Sequence, residues 1–197
     1  MARIKLGEVS KPSNYGIDPE NLSIEQRLAS GFILLDKPQG PTSHQIASWV
    51  RDLLGLERLG HGGTLDPFAT GVLPLMAGKS MKLTKGILKT DKTYIAVLKF
   101  AQNTSLDSLN EVISKLSGRI YNVPPEISAV KVQVRTRKIY NFELIEATTT
   151  QAIVKIVCEA GTYIRTIARD MGLLLGYRVE LKELRRENSG RFKLSDC

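Results

Sequence analysis

The chain has 197 residues, 42% of them hydrophobic, which suits one ordinary domain with a real core. No apolar run approaches the roughly 20 residues of a membrane span, and the polar opening stretch "MARIKLGEVSKPSNYG" lacks the apolar segment of a signal peptide, so a soluble, cytoplasmic protein is expected. Lys and Arg number 28 against 20 Asp and Glu, a formal net charge of +8 that points to a polyanionic partner, nucleic acid or an anionic membrane, or to nothing more than a basic surface.

In chain order, residues 1–30 read as an irregular arm before the fold. "GFILLDKP" follows as a short buried strand from Phe32 to Asp36, stopped by Pro38. "GPTSHQIASWVRDLLG" predicts a helix: Thr42 or Ser43 caps it, Ile46, Val50, Leu53 and Leu54 share one face, and Gly55 ends it. A glycine-rich loop, "GHGGTLDPFATGVLP", occupies residues 60–74. "TYIAVLKF", rich in aromatic and β-branched residues, predicts a strand. "SLDSLNEVISKLSG" predicts a second amphipathic helix, with Leu106, Leu109, Val112, Ile113 and Leu116 on one face and Gly118 after it. Strands are expected in "EISAVKVQV", "KIYNFELIEA" and "QAIVKIVC". A third helix in "GTYIRTIARDMGLLLG" starts at Thr162 and ends at Gly176, and "YRVELKELRR" is a last strand. Helices and strands mix without strict βαβ alternation, so the expected class is α/β in the α+β sense, a mixed sheet carrying helices.

Soft metal ligands are scarce. Cys158 and Cys197 lack a CxxC partner, and His44 and His61 are the two histidines, which argues against a zinc site, a disulfide framework or a transition-metal enzyme. Basic residues gather in three runs: Lys131, Arg135, Arg137 and Lys138; Lys79, Lys82, Lys85, Lys89 and Lys92; and Lys182, Arg185, Arg186, Arg191 and Lys193. Such runs usually form a solvated face, but three of them on a basic chain favour nucleic-acid phosphates.

Residue by residue, ordinary explanations are available. Asp66 precedes Pro67, a pairing that favours a turn in which the carboxylate caps a nearby N–H. His61 reads as a loop hydrogen-bonder, Arg165 as a surface helix arginine, Tyr94 and Leu184 as core residues, and Lys37 as an exposed loop lysine.

Four longer stretches change this weighting. "LLDKPQGPTSHQIASWV", "GHGGTLDPFATGVLP", "KTYIAVLKF", and "CEAGTYIRTIARDMGLLLG" with "ELRR" resemble, in order, the lysine-proline motif, catalytic loop, tyrosine strand and arginine helix of the TruB-type RNA pseudouridine synthases. The resemblance is strongest to the archaeal and eukaryotic, dyskerin-like branch, and it spans residues 31–192. It implies the family's catalytic fold, a mostly antiparallel mixed sheet flanked by helices, over residues 31–197, with 1–30 as an N-terminal arm. It makes Asp66 the catalytic aspartate, Tyr94 the tyrosine that stacks on the target uracil and Arg165 the arginine paired with the aspartate. Lys37 and Pro38 become part of a motif that supports the catalytic loop, Lys37, His61, Leu184 and Tyr163 substrate-binding residues, and Pro38, Gly62, Gly63 and Gly71 structural residues of the loop. The implied partners are substrate RNA (tRNA or rRNA), an H/ACA guide RNA and the small H/ACA core proteins.

The implied chemistry breaks the N-glycosidic bond of uridine, turns the uracil over and rejoins it to the ribose through C5. As an isomerisation it needs no cofactor and no metal. A carboxylate must sit beside the sugar, to attack C1′ or to take the 2′ proton, and it must stay ionised, which an adjacent guanidinium favours. The uridine must first leave its stack, and a flipped base needs an aromatic partner and an apolar pocket. Tyr94 supplies the ring, and its hydroxyl is placed to accept the C5 proton late in the reaction.

Two features bear on the branch. Between Phe100 and Gly118 there is room for one helix, where the bacterial tRNA enzymes carry extra sequence, whereas Phe68-Ala69 looks more bacterial. Family members usually continue into a C-terminal PUA domain, which is absent from this sequence; it stops at Cys197. The competing readings are a stand-alone enzyme for the tRNA T-loop, a non-catalytic RNA-binding scaffold of the same fold, and a glycoside or nucleoside hydrolase. The last usually needs two carboxylates astride the bond, and only Asp66 sits in a motif.

Overall fold

The computed structural model describes residues 17–124 and 133–197. The chain lays down α1 (Ile24–Ser30), β1 (Phe32–Lys37), α2 (Ser43–Leu53), β2 (Leu59–His61), β3 (Thr70–Ala77), α3 (Thr84–Leu88) and β4 (Lys92–Phe100). It continues with α4 (Leu106–Lys115), β5 (Gly118–Asn122), β6 (Arg135–Ala147), β7 (Gln151–Cys158), α5 (Ile164–Leu175), β8 (Val179–Ser189) and β9 (Phe192–Lys193). The strands form one sheet in the order β1-β3-β8-β4-β7-β6-β5, with β2 also on β3 and β9 on β8. Among the described residues every pairing is antiparallel except β3 on β8, where Thr70 lies opposite Arg185 and Gly71 opposite Arg186. This is the expected mixed, mostly antiparallel sheet flanked by helices.

Two apolar clusters hold the layers together. Alternate residues of β4 and β7 (Tyr94, Ala96, Leu98, Val154, Ile156) meet Leu109, Val112 and Ile113 of α4 and Ile164, Ile167 and Met171 of α5 in the larger one. Ile46 and Ala47 of α2 cover Leu73 and Leu75 of β3 in the smaller. The caps follow the sequence. Thr42 and Gln45 form a capping box at α2, Ser105 caps α4, and Gly176 closes α5 in the left-handed region at φ 81°.

Several expectations need correcting. Residues 24–30 are a capped helix rather than an irregular arm, and the main chain of α1 lies against the bend at Gly78. β1 is an edge strand paired only with β3, so it is half-buried, and its one fully buried residue is Lys37. Leu53 is 84% exposed and Leu106 59% exposed, because the buried faces of α2 and α4 are narrower than the leucine pattern implies. "GVLP" is no part of a loop: it opens β3, a central strand. Pro74 is tolerated there because it falls between the β8 pairing at Thr70–Gly71 and the β2 pairing at Leu75–Ala77. β5 was not expected, and most of "EISAVKVQV" (its residues 126–132) lies outside the described residues.

Both cysteines are free. Cys158 is buried at the end of β7, and burial pushes its thiol up to about 12. A disulfide-exchange reagent at pH 8 is therefore expected to titrate one thiol, Cys197, in the native protein and both in denaturant. Two fast thiols would show that β7 opens at this end.

Candidate active site

The loop that carries Asp66 is held at nearly every peptide. The Asp66 carbonyl accepts from Ala69 N–H at 3.0 Å, closing a turn over Pro67 and Phe68. The Pro67 carbonyl accepts from Gly40 N–H at 2.8 Å. The buried Ser43 hydroxyl bonds both sides of Leu65, accepting from its N–H at 2.8 Å and donating to its carbonyl at 3.2 Å. Because Thr42 caps α2, the Ser43 hydroxyl is left for the loop.

Beneath the turn lies Lys37, 0% exposed, whose Nζ donates to the carbonyls of Pro38 (2.8 Å), Ala69 (2.9 Å) and Pro67 (3.3 Å). Burial lowers its ammonium below the ordinary lysine range; the Asp66 carboxylate opposes this and Arg186 adds to it. Lys37 is thus a loop support and not the exposed lysine that its residue type suggests. Replacing it with Met strands three carbonyls, and about 3 kcal/mol of stability is expected to go with it. A loss under about 1 kcal/mol in chemical denaturation would show that water replaces the ammonium.

Arg165 reaches the loop from the first turn of α5. Its Nε lies 3.0 Å from Asp66 Oδ2 and its Nη2 3.1 Å from Oδ1, a two-point ion pair with both side chains about one-third exposed. The start of α5 has no side-chain cap of its own. Instead the buried Asn122 amide brackets Tyr163, accepting from its N–H at 2.8 Å and donating to its carbonyl at 3.3 Å, and Thr166 Oγ1 donates to Val123 O at 2.7 Å. These bonds fix the arginine helix to the end of β5.

Asp66 and Arg165 open onto a cleft of about 310 Å³ lined also by Gly63, Thr64, Leu88, Lys92, Tyr94, Tyr163, Leu184 and Arg186. This is near the lower end of small-ligand volumes, enough for one nucleoside but not a duplex. One acidic side chain and three basic ones line it, so it suits an anionic ligand. Tyr94 forms part of the wall while 92% buried, and burial raises its phenol above the ordinary tyrosine range, with Arg186 opposing. Leu184 is both a core and a cleft residue.

Of the expected site residues, Asp66, Tyr94, Arg165, Tyr163, Leu184 and Gly63 converge here. His61 does not line the cleft: it ends β2, its ring 4.7 Å from that of His44, and burial lowers its pKa. Lys92 and Arg186, expected in solvated basic runs, are 6% and 1% exposed; Lys131 lies outside the described residues. Asn122 was not singled out, and Ser43 and Arg186 were read only as a helix cap and a member of a basic run, because a polar residue carries no local signal of what it will face.

The model of the "TruB family pseudouridylate synthase (N terminal domain)" matches residues 51–164. The chain belongs to the TruB pseudouridylate synthase family. A second model, the DKCLD (NUC011) domain, matches residues 4–47, across the proposed arm boundary at residue 30. Among curated TruB relatives, a probable tRNA pseudouridine synthase B of Pyrobaculum calidifontis is 44% identical over 183 residues, 93% of this chain and 55% of that protein. The one of Picrophilus torridus is 46% identical over 168 residues, 85% and 48% respectively. The fold matches Cbf5 in a Cbf5-Nop10-Gar1 complex with a TM-score of 0.87 at 40% identity, covering 92% of this chain and 55% of that one. It also matches an H/ACA RNP bound to a substrate RNA containing 2′-deoxyuridine (TM-score 0.81, 36% identity, 92% and 56% covered). The chain spans about half the length of these TruB relatives. Among the described residues no helix is long and apolar enough to cross a membrane.

Proposed function

We propose that this chain is the catalytic portion of an RNA pseudouridine synthase that works in a guide-RNA particle of the H/ACA kind, in the cytoplasm. The carrying observation is the Asp66–Arg165 pair at 3.0–3.1 Å on the rim of a cleft sized for one nucleoside, with Tyr94 in its wall. The rigid turn aims the carboxylate at the ribose, as nucleophile at C1′ or as base for the 2′ proton; Arg165 keeps it charged and in place. Tyr94 and Leu184 take the extruded uracil. Structural likeness to Cbf5 bound to Nop10 and Gar1, and to an RNP with substrate RNA, supports the guided setting. The names of the sequence relatives favour tRNA as a substrate, which keeps an unguided tRNA enzyme as a second reading.

RNA tritiated at uridine C5 separates these. Tritium release only with guide RNA and partner proteins supports the particle, and release from bare tRNA supports the stand-alone enzyme. RNA binding without release indicates a scaffold, and free uracil indicates hydrolysis.

A further inference from the structure

Arg186 is the largest fully buried side chain among the described residues, and none of their carboxylates pairs with it. A buried guanidinium without a counter-ion is costly and is seldom kept without a use. It is held rigidly: Nε donates to Val72 O at 2.9 Å and Nη2 to Gly63 O at 3.2 Å. These two carbonyls belong to β3 and to the loop leading to Asp66. Arg186 also stands directly across the β4–β8 ladder from Tyr94, beside a register shift between Thr93 and Tyr94, and both side chains line the same cleft.

Resting on the reading above, we propose that Arg186 is the positioning residue of a tyrosine proton relay: it holds the Tyr94 hydroxyl beside C1′ and balances the phenolate formed there during the isomerisation. The proton balance of the reaction asks for such a group. When the N1–C1′ bond breaks, N1 gains a proton; when the C1′–C5 bond has formed, C5 loses one. Turning the uracil over brings C5 to the place N1 left, so one fixed hydroxyl meets both atoms in succession. Tyr94 gives its proton to N1 and becomes a phenolate beside the Arg186 guanidinium. It then takes the proton from C5 and is restored. No outside acid or base is consumed. Burial keeps the phenol protonated at the outset, as the first transfer requires, while the neighbouring cation keeps the phenolate within reach.

The test uses wild-type protein, Arg186→Lys and Arg186→Gln, each with the guide RNA and partner proteins that support turnover, on RNA carrying protium or deuterium at uridine C5. Both variants are expected to fold but to melt below the wild type, since Val72 O and Gly63 O lose donors. They should lose about 10²-fold or more in rate and show a larger C5 isotope effect than wild type, because proton removal from C5 becomes limiting. Slower turnover with an unchanged isotope effect overturns the inference, because it leaves Arg186 as a support for the loop. So does wild-type rate in both variants, or failure of both to fold. Wild-type protein that isomerises no uridine under any condition sinks the enzyme reading itself, a result distinct from all of these.

Discussion

Asp66→Asn is expected to lower uridine isomerisation by at least about 10⁴-fold, leaving the melting temperature and RNA affinity close to wild type. An amide can neither attack C1′ nor take the 2′ proton, so the loss follows whichever step the carboxylate performs. The fold should tolerate the change for three reasons. The turn at Asp66 is closed by its main-chain carbonyl, not by its side chain. Lys37, Ser43 and Gly40 hold the flanking peptides without touching the carboxylate. Arg165 is about one-third exposed, so water reaches its guanidinium when the negative partner is removed. Tritium release from C5-labelled RNA, with a filter-binding measurement on the same preparation, checks both halves. Turnover within about tenfold of wild type would remove Asp66 from the chemistry.

Gly71→Ala is expected to be the most destabilising small substitution in the loop, by about 3–5 kcal/mol. Gly71 sits at φ +108°, and a Cβ there would lie 2.2 Å from Arg186 O and 2.6 Å from Arg186 N. Those are backbone atoms of the pairing strand, so no rotamer change relieves the contact, and β3 must part from β8. Parting the strands also displaces Val72 O and Gly63 O, the two acceptors of Arg186. Equilibrium denaturation measures the loss. A change below about 1 kcal/mol would mean that the parallel contact yields easily. At Gly63, φ is also positive at +128°, but the nearest atoms to a new Cβ are side-chain tips at 3.6 Å or beyond, so Gly63→Ala should cost less.

Helices α2, α4 and α5 were legible because their signals are local. Thr42 with Gln45, Ser105 and Gly176 mark helix ends through hydrogen bonds or φ angles that the neighbouring residues alone specify. β7 shows a strict two-residue alternation and runs over Gln151–Cys158, the stretch read as a strand. The Asp66–Arg165 pairing crosses 99 positions and was reached by resemblance, since no spacing rule links a loop to a distant helix. β3 was hidden by Pro74, a residue that demotes a strand unless its missing N–H falls between two partners, as it does here. Read by residue type alone, Lys37, Lys92 and Arg186 were misplaced for a common reason. Charge predicts exposure, and only three-dimensional structure shows a buried cage of carbonyls around a cation.

The parallel contact of β3 with β8 has a consequence for the birth of the protein on the ribosome. Thr70 meets Arg185 across 115 positions, and Asp36 meets the same arginine across 149. The segment bearing the aspartate thus emerges early and must wait, its cation and its neighbouring strand still unsynthesised, until translation has passed β8. Loop closures of that length make this the slow step of assembly. Arrested nascent chains released before residue 179 should accordingly hold no assembled pocket, whatever helical structure they have already gained.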